Sequence, residues 1–126
     1  MVRADPQSPY FQPLIAILSR SYGPIVHVAD AVEGLDGIRT VIVFGSWAER
    51  YSGIPGPPPR DVDILLVGTP DPRAVRSTNR SLEELLELPV QILTVGTGDW
   101  DDRQAGLLST IASRPYVTIV DREGPT

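Results

Sequence analysis

The chain has 126 residues and a formal net charge of −5, enough length for one domain with a modest core. It contains no cysteine, so disulfides, thiolate zinc sites and cysteine nucleophiles are excluded. Lysine is also absent and arginine supplies the basic side chains, which excludes a catalytic lysine and a P-loop lysine.

Charge and hydropathy patterns also limit the partners. No basic run is present, and strong nonspecific binding to nucleic acid normally needs a basic face. No apolar stretch is long enough to span a membrane, and residues 1–10 lack the apolar centre of a signal peptide. These features predict a soluble cytoplasmic protein with no membrane partner and no strong nonspecific DNA binding.

The first third of the chain predicts a tail, two helices and a strand. Residues 1–7 are expected to form a flexible tail. Ser8-Pro9 is a typical helix start, and a helix is predicted over Tyr10–Tyr22. A second helix is predicted from Pro24 to about Val32, and the first strand from about Arg39 to Phe44.

The next stretch contains the most unusual pattern in the sequence. Gly45 and Ser46 end the first strand and are expected to begin a short turn. The loop Ser52–Pro59 is rich in glycine and proline, and its prolines predict a semi-rigid flap over a ligand. The second strand begins at Asp61, and because alternate strand side chains share a face, Asp61 and Asp63 are expected to project together.

The rest of the chain alternates predicted helices and strands. This alternation is typical of an α/β or α+β fold in which helices pack on a β-sheet. We expect one domain over residues 1–126, with a second flexible tail over 122–126. The predicted elements are a helix over Pro72–Glu87, a strand over Val90–Val95, a helix from Thr97 through Ile111 that Arg114-Pro115 ends, and a last strand or extended tail over Tyr116–Val120.

Two neighbouring carboxylates repel each other, and each favours its protonated form. A divalent cation such as Mg²⁺ or Mn²⁺ removes this conflict because hard ions bind oxygen ligands. Gly45 would let the backbone approach a phosphate, and Ser46 would add a hydroxyl donor. Asp61 and Asp63 as metal ligands, beside Gly45 and Ser46 as phosphate ligands, suit a nucleoside triphosphate and its metal ion. The alternative for the aspartates is a solvated strand edge with two surface acids.

The pattern Phe44-Gly45-Ser46, a spacer and Asp61-Val62-Asp63-Ile64 resembles the motif of the nucleotidyltransferase superfamily, which includes DNA polymerase beta and the minimal nucleotidyltransferases. More loosely, residues 8–120 resemble the catalytic-type domain found behind winged-helix DNA-binding domains. The resemblance implies a small mixed sheet with neighbouring strands in chain order. It also implies transfer of a nucleoside monophosphate from an NTP, with two metal ions acting at the α-phosphorus. Small members of this family are often one half of a toxin–antitoxin pair, and some modify a partner protein or a transfer RNA.

One position departs from what the resemblance implies. In the superfamily a third carboxylate on a following strand completes the second metal site, and the matching position here is Gln91. An amide can bind a metal through its carbonyl oxygen, but it adds no charge and accepts no proton at neutral pH. The resemblance thus implies a metal-dependent nucleotidyltransferase domain that modifies a protein or RNA hydroxyl, with Gln91 as a candidate for the third metal-shell position. A catalytically weak or inactive binding or regulatory module is the alternative.

Other side chains have two interpretations each. Minimal members usually contain Gly-Ser-x-Ala-Arg-Gly; here Glu49 replaces the arginine and Arg50 follows it. Arg50 could contact a phosphate, or it could pair with Glu49 or Asp36 on the surface. Trp47 could stack on a nucleobase, although a tryptophan after a buried strand is more often a core residue. A further group of acids is interpreted as helix-start residues favoured by the helix dipole rather than as catalytic groups: Asp99, Asp101 and Asp102.

Overall fold

The computed structural model of the chain describes residues 25–103 and 106–122. Within them, four strands form one mixed sheet in the order β3-β2-β1-β4. β1 is antiparallel to both β2 and β4, whereas β2 and β3 are parallel. This architecture confirms the predicted fold class. The strands are β1 (Ile38–Phe44), β2 (Val62–Gly68), β3 (Val90–Val95) and β4 (Val117–Asp121).

The helices agree with the predicted alternation. The longest helix of the described residues follows β2, where the Asp71 side chain accepts a hydrogen bond from Arg73 N at 3.2 Å and Pro72 occupies the first turn. It ends at Leu86, and the C-cap residue Glu87 has a left-handed backbone with φ of 54°. The helices in the described residues are α1 (25–33), α2 (Gly45–Tyr51), α3 (Pro72–Leu86), α4 (Thr97–Asp101) and α5 (Gly106–Ser113).

The hydrophobic core lies on both faces of the sheet. Alternate residues of β2 divide between them: Val62, Ile64 and Leu66 face α1 and α3, whereas Leu65 and Val67 belong to the cluster of Trp100 and Ile111. β1 is buried along nearly its whole length, as expected for a central strand covered on both sides.

The last strand corrects one prediction. The first three strands are neighbours in chain order, but β4 lies beside β1 and not beside β3. Antiparallel pairing with β4 gives β1 backbone partners on both edges, with Thr40 opposite Asp121 and Val43 opposite Val117. An apolar strand such as β1 is better placed inside a sheet than at its edge, because an exposed edge leaves backbone groups unpaired.

The long helix predicted from Thr97 through Ile111 is also wrong, because the chain forms two short helices there. Arg103 donates to the carbonyl of Trp100 at 2.8 Å, so a side chain binds the acceptor that the next helical turn would use. The Arg103 guanidinium also lies 4.3 Å from the centroid of the Trp100 ring. Gly106, the first residue of α5, has a φ of 68°, so the backbone leaves the right-handed helical conformation between the two helices.

Several predictions concern residues outside the described ranges. These are the tail over 1–7, the helix start at Ser8-Pro9, the helix over Tyr10–Tyr22 and most of the tail over 122–126. That residues 1–126 form one domain stays a prediction. Among the helices of the described residues, none has the length and hydropathy needed to cross a bilayer.

Candidate active site

The predicted site residues of β1, β2 and β3 meet at one end of the sheet. Asp63 is opposite Phe44 on one side and Gln91 on the other, in consecutive positions of the sheet register. Residues opposite each other in a sheet have side chains on the same face. Asp63 and Gln91 therefore lie side by side, on the sheet face that also carries Leu65 and Leu93.

Asp61 lies just before β2, so the predicted start of this strand is one residue too early. Its side chain is half-buried, like that of Asp63, while Val62 between them is fully buried in the opposite face of the core. Burial of Val62 forces its two neighbours away from that core. The two aspartates are therefore brought together as the alternation predicted.

Gly45 joins the two halves of the motif in space. Its φ is 76°, a left-handed conformation that favours glycine, and its backbone lies directly against the Asp63 carboxylate. A Cβ atom at Gly45 would overlap Asp63 Oδ2. A glycine is thus required here both by the backbone conformation and by the close approach of the carboxylate.

The predicted turn at Gly45 and Ser46 is the first turn of α2, which begins directly after β1. Ser46 is half-buried, and Phe44 at the N-cap makes no side-chain capping hydrogen bond. The amides at this end therefore have no side-chain cap in front of them. With seven residues, α2 contributes little helix dipole, so the Ser46 hydroxyl and these local amides are the groups that can face an anion.

The surroundings of the Asp63 carboxylate make it a weaker acid. Partial burial raises the pKa of Asp63 above its ordinary value of 3.8, and the nearby Asp61 carboxylate raises it further. Both causes penalise the negative charge of Asp63. A bound cation would reverse this penalty, so the pair fits the divalent ion predicted from the sequence.

The protein groups that could hold such an ion are few. Residues 25–103 and 106–122 contain no cluster of three or more histidine, cysteine, aspartate or glutamate side chains placed to bind a metal. Asp61 and Asp63 are the candidate ligands, and the exposed Gln91 side chain is the nearest counterpart of a third ligand in the sheet register. Their role as ligands of Mg²⁺ or Mn²⁺ stays a prediction.

Arg50 lies at the other end of α2 from Gly45 and Ser46. Its guanidinium donates to the carbonyl oxygens of Ile54, Pro55 and Pro57, all in the loop before β2. Glu49 instead forms an ion pair with Arg114 at 3.4 Å. The structure therefore pairs Arg50 with the loop and not with Glu49 or Asp36 as one interpretation proposed.

Trp47 is a core residue. It is 6% exposed, and its ring stacks on Tyr51 with the centroids 5.3 Å apart and the planes at 17°. Its position therefore agrees with the interpretation of Trp47 as a core residue and not with stacking on a nucleobase. Arg60 immediately precedes Asp61 and is exposed, so it is a second arginine close to the candidate site.

Sequence reasoning missed an ion pair that joins β1 to α4. Arg39 donates to both carboxylate oxygens of Asp101, at 2.8 and 3.1 Å, and this hydrogen-bonded arginine lowers the pKa of Asp101. The two residues are 62 positions apart, and no local pattern in the sequence connects them. Asp101 is thus a structural partner of Arg39. It is the last residue of α4 and Asp102 is the C-cap, so their interpretation as helix-start acids is wrong; Asp99 alone of the three lies in the first turn. That these acids are not catalytic stays a prediction.

The same pair lines a cavity of about 210 Å³ toward the other end of β1, between Thr40, Trp100 and Tyr116. Arg39 and Asp101 bind each other at its wall, and Arg103 covers the Trp100 ring. Of the β1 residues, Thr40 and Ile42 line the cavity, whereas Asp63 is opposite Phe44, at the end of the strand. It is therefore separate from the candidate active site.

Comparison with known proteins identifies the fold. No protein family and no curated protein sequence matches the chain. Solved structures do: a toxin–antitoxin complex with AMP-PNP superimposes with a TM-score of 0.54, at 16% identity, over 79% of this chain and 74% of that chain. A mutant of the toxin–antitoxin MntA–HpeT gives a TM-score of 0.54 at 13% identity, with the same coverage of both chains. A second MntA–HpeT mutant gives 0.50 at 15% identity, over 76% of this chain and 70% of that chain.

The chain has the nucleotidyltransferase fold. The resemblance found in Phe44-Gly45-Ser46 and Asp61-Val62-Asp63-Ile64 is therefore confirmed at the level of the fold. In this nucleotidyltransferase-fold domain, the two parts of the motif meet where the end of β1 lies opposite the start of β2. Sequence identities of 13–16% establish the fold alone. The activity has to be argued from the site.

Proposed function

We propose that this chain is a metal-dependent nucleotidyltransferase domain. It binds a nucleoside triphosphate and transfers the nucleoside monophosphate to a hydroxyl group of a protein or an RNA. The observation that carries the proposal is the contact between the Gly45 backbone and the Asp63 carboxylate. It puts the candidate phosphate ligands and the candidate metal ligands at one place, although 18 positions separate them in the chain.

The chemistry of each residue indicates which part of the metal–triphosphate it binds. Ser46 donates its hydroxyl to a phosphate oxygen, and Gly45 lets the triphosphate approach the backbone without meeting a side chain. Asp61 and Asp63 hold the divalent ion, and their own repulsion is relieved when it binds. The ion supplies positive charge that neutralises the triphosphate and favours attack by a hydroxyl.

Incubation of the pure protein with α-labelled NTPs, Mg²⁺ or Mn²⁺ and a cell extract tests the proposal. A labelled protein or RNA acceptor, lost when Asp61 is replaced, would support transfer. Nucleotide binding without any labelled product would instead support the second candidate function, a nucleotide-binding or regulatory module. Absence of both binding and product would refute both candidates.

The second candidate is favoured by one specific observation. Gln91 is opposite Asp63 in the parallel pair of β2 and β3, at the position where the superfamily resemblance implies a carboxylate. An amide there supplies neither a negative charge nor a proton acceptor. This leaves the metal site with two carboxylates, which is enough to hold an ion with a triphosphate but weak support for a second ion.

The partner follows from the same proposal. The matched structures are toxin–antitoxin complexes, one of them with AMP-PNP. We therefore propose that an ATP-like nucleotide is the first ligand to test and that a cognate partner protein is the first acceptor, with a transfer RNA as the other. A cytoplasmic location belongs to this proposal.

Replacing Ser46 with alanine is expected to weaken triphosphate binding by about tenfold or more and to leave nucleoside binding almost unchanged. The reason is that a hydrogen bond to a charged phosphate contributes about 1.5–3 kcal/mol, whereas a nucleoside has no phosphate to accept it. Calorimetric titration with AMP-PNP and with adenosine measures both. Ser81→Ala, at an exposed position of α3, is the control. Equal losses for the two ligands would mean that Ser46 only shapes the start of α2.

Replacing Gln91 with glutamate or aspartate is expected to increase the affinity for a second metal ion. Either change adds a carboxylate beside Asp63, and Mn²⁺ titration in the presence of AMP-PNP measures the stoichiometry and affinity. Both substitutions are needed because glutamate is one methylene longer than aspartate, and a carboxylate misplaced by about 1 Å can cost about 100-fold in rate. Thr94→Glu is the control, since Thr94 is exposed on the same strand but three positions away. Unchanged metal binding in both Gln91 variants would mean that Gln91 does not face the ion.

A further inference from the structure

The Arg50 side chain holds the loop that joins α2 to β2. Its Nε donates to Pro57 O at 3.0 Å, and its Nη1 donates to Ile54 O at 2.7 Å and to Pro55 O at 3.2 Å. Three of four consecutive loop carbonyls therefore bind one guanidinium. A planar group with several N–H donors in a fixed geometry is suited to this task, and a lysine ammonium is less so.

The composition of the loop explains why it needs such a donor. The loop has prolines at 55, 57, 58 and 59, which have no N–H group and cannot close hydrogen-bonded turns through their own nitrogen. Gly56 makes room for the arginine, because a Cβ atom at that position would overlap the Arg50 guanidinium. The glycine and the arginine are therefore matched to each other.

The first half of the loop is also bonded to the end of α2. Ser52 N donates to Ala48 O at 2.9 Å, Gly53 N to Arg50 O at 3.1 Å and Ile54 N to Glu49 O at 2.9 Å. Together with the Arg50 side chain, these bonds attach residues 52–57 to α2 along their whole length. Residues 58–60 then lead directly to Asp61. Val62, buried and bonded to Pro89 O, holds the start of β2, and the attached loop sets the direction from which the chain reaches Asp61 on its other side.

We propose that Arg50 is a positioning residue: by holding residues 52–57 on α2, it sets the placement of Asp61 relative to Ser46 at the other end of that helix. Arg50 acts through Asp61 and does not itself contact the triphosphate. The effect on nucleotide binding rests on the proposed function. The attachment of the loop to Arg50 does not, and it can be measured without any nucleotide.

Three variants test the proposal. Arg50→Lys keeps the charge but loses the planar fork, Arg50→Gln loses both, and Gly56→Ala keeps the arginine but displaces its guanidinium. In all three, hydrogen exchange at the amides of Gly53 and Ile54 is expected to be about tenfold faster, because the loop opens more often. The affinity for Mn²⁺–AMP-PNP is expected to fall about tenfold in all three. The controls are Arg76→Lys, at an exposed arginine of α3, and Gly34→Ala, where a Cβ atom would have nothing within 4 Å.

Gly56→Ala separates positioning from direct phosphate binding. If Arg50 binds phosphate, only the Arg50 variants lose affinity, because Gly56→Ala leaves the arginine free to reach the ligand; that result would overturn the proposal. Unchanged exchange at Gly53 and Ile54 in all three variants would overturn it as well. If the unaltered protein binds no nucleotide, the proposed function fails. The exchange rates then decide on their own whether Arg50 holds the loop.

Discussion

Replacing Asp61 or Asp63 with alanine is expected to abolish metal-dependent nucleotide binding while leaving the fold intact. Both side chains are half-buried and face the site, so neither contributes apolar packing to the core. Loss of a residue that supports a metal ligand typically costs 10–100-fold in metal affinity, so loss of a ligand itself should cost at least about 100-fold. Calorimetric titration with Mg²⁺ and AMP-PNP measures the loss. Asp30→Ala, at an exposed position of α1, is the control.

Asp63→Asn provides a second measurement that needs no nucleotide. Burial and the nearby Asp61 raise the pKa of Asp63 in the folded protein, so the folded state binds this proton more tightly than the unfolded chain. Ionisation of Asp63 therefore lowers the free energy of unfolding as the pH rises through its raised pKa, and the full loss of stability is reached above that pKa. Asparagine has no charge to bury, so the variant does not lose this stability.

The metal-free Asp63→Asn variant should thus melt slightly higher than the unaltered protein at neutral pH, and the difference should disappear near pH 3.8 and below. The rise is limited to a few degrees because Asp63 is half-exposed and its charge is partly screened by solvent. Addition of Mg²⁺ should stabilise the unaltered protein and not the variant. Unchanged nucleotide affinity in both alanine variants would refute the metal-site assignment, whatever the melting temperatures are.

Replacing Gly45 with alanine is expected to damage both the fold and the site. A left-handed residue other than glycine costs about 1–2 kcal/mol, and Gly45 has a φ of 76°. The added Cβ atom would also overlap Asp63 Oδ2, so the carboxylate would have to move. We therefore expect a lower free energy of unfolding together with a loss of metal-dependent nucleotide binding as large as in Asp63→Ala.

Comparison with other glycines separates the two effects of Gly45→Ala. Gly106→Ala changes a residue with a φ of 68° and open space around the added atom, far along the chain from the aspartates and their loop, so it should show the backbone cost alone. Urea denaturation measures the stability of both variants, and Mn²⁺ titration below the transition measures the site. Normal metal binding in a folded Gly45→Ala protein would mean that the contact between Gly45 and Asp63 is not needed to hold the ion.

The elements of the fold were predictable where local patterns are strong. β3 was predicted at Val90–Val95, as observed, and α3 to within one residue, because Asp71 and Pro72 mark its start and Pro89 follows its end. The helix predicted through Ile111 failed for a local reason that depends on a side chain. Its apolar spacing suits a helix, but Arg103 binds the Trp100 carbonyl and folds back over the ring. Apolar spacing does not record such a contact.

The candidate site could be predicted in two halves but not as a whole. The alternation of side chains puts Asp61 and Asp63 on one face whatever else the chain does, and a glycine at the end of an apolar strand indicates a special backbone. That Gly45 lies against Asp63 depends on the register of β1 with β2, across a loop whose path the local pattern leaves open. Arg50 shows the same limit: its spacing to the loop is short, but three carbonyls converge on it only after the loop folds back.

The sequence by itself determined the alternation of helices and strands and the projection of the two aspartates on one face. These features depend on backbone geometry over a few residues, which neighbouring side chains specify directly. Tertiary structure alone decided that β4 lies beside β1 and that Arg39 binds Asp101. Each of these contacts joins segments that are distant in the chain, and their choice depends on how much apolar surface and how many backbone groups the whole sheet can cover at once.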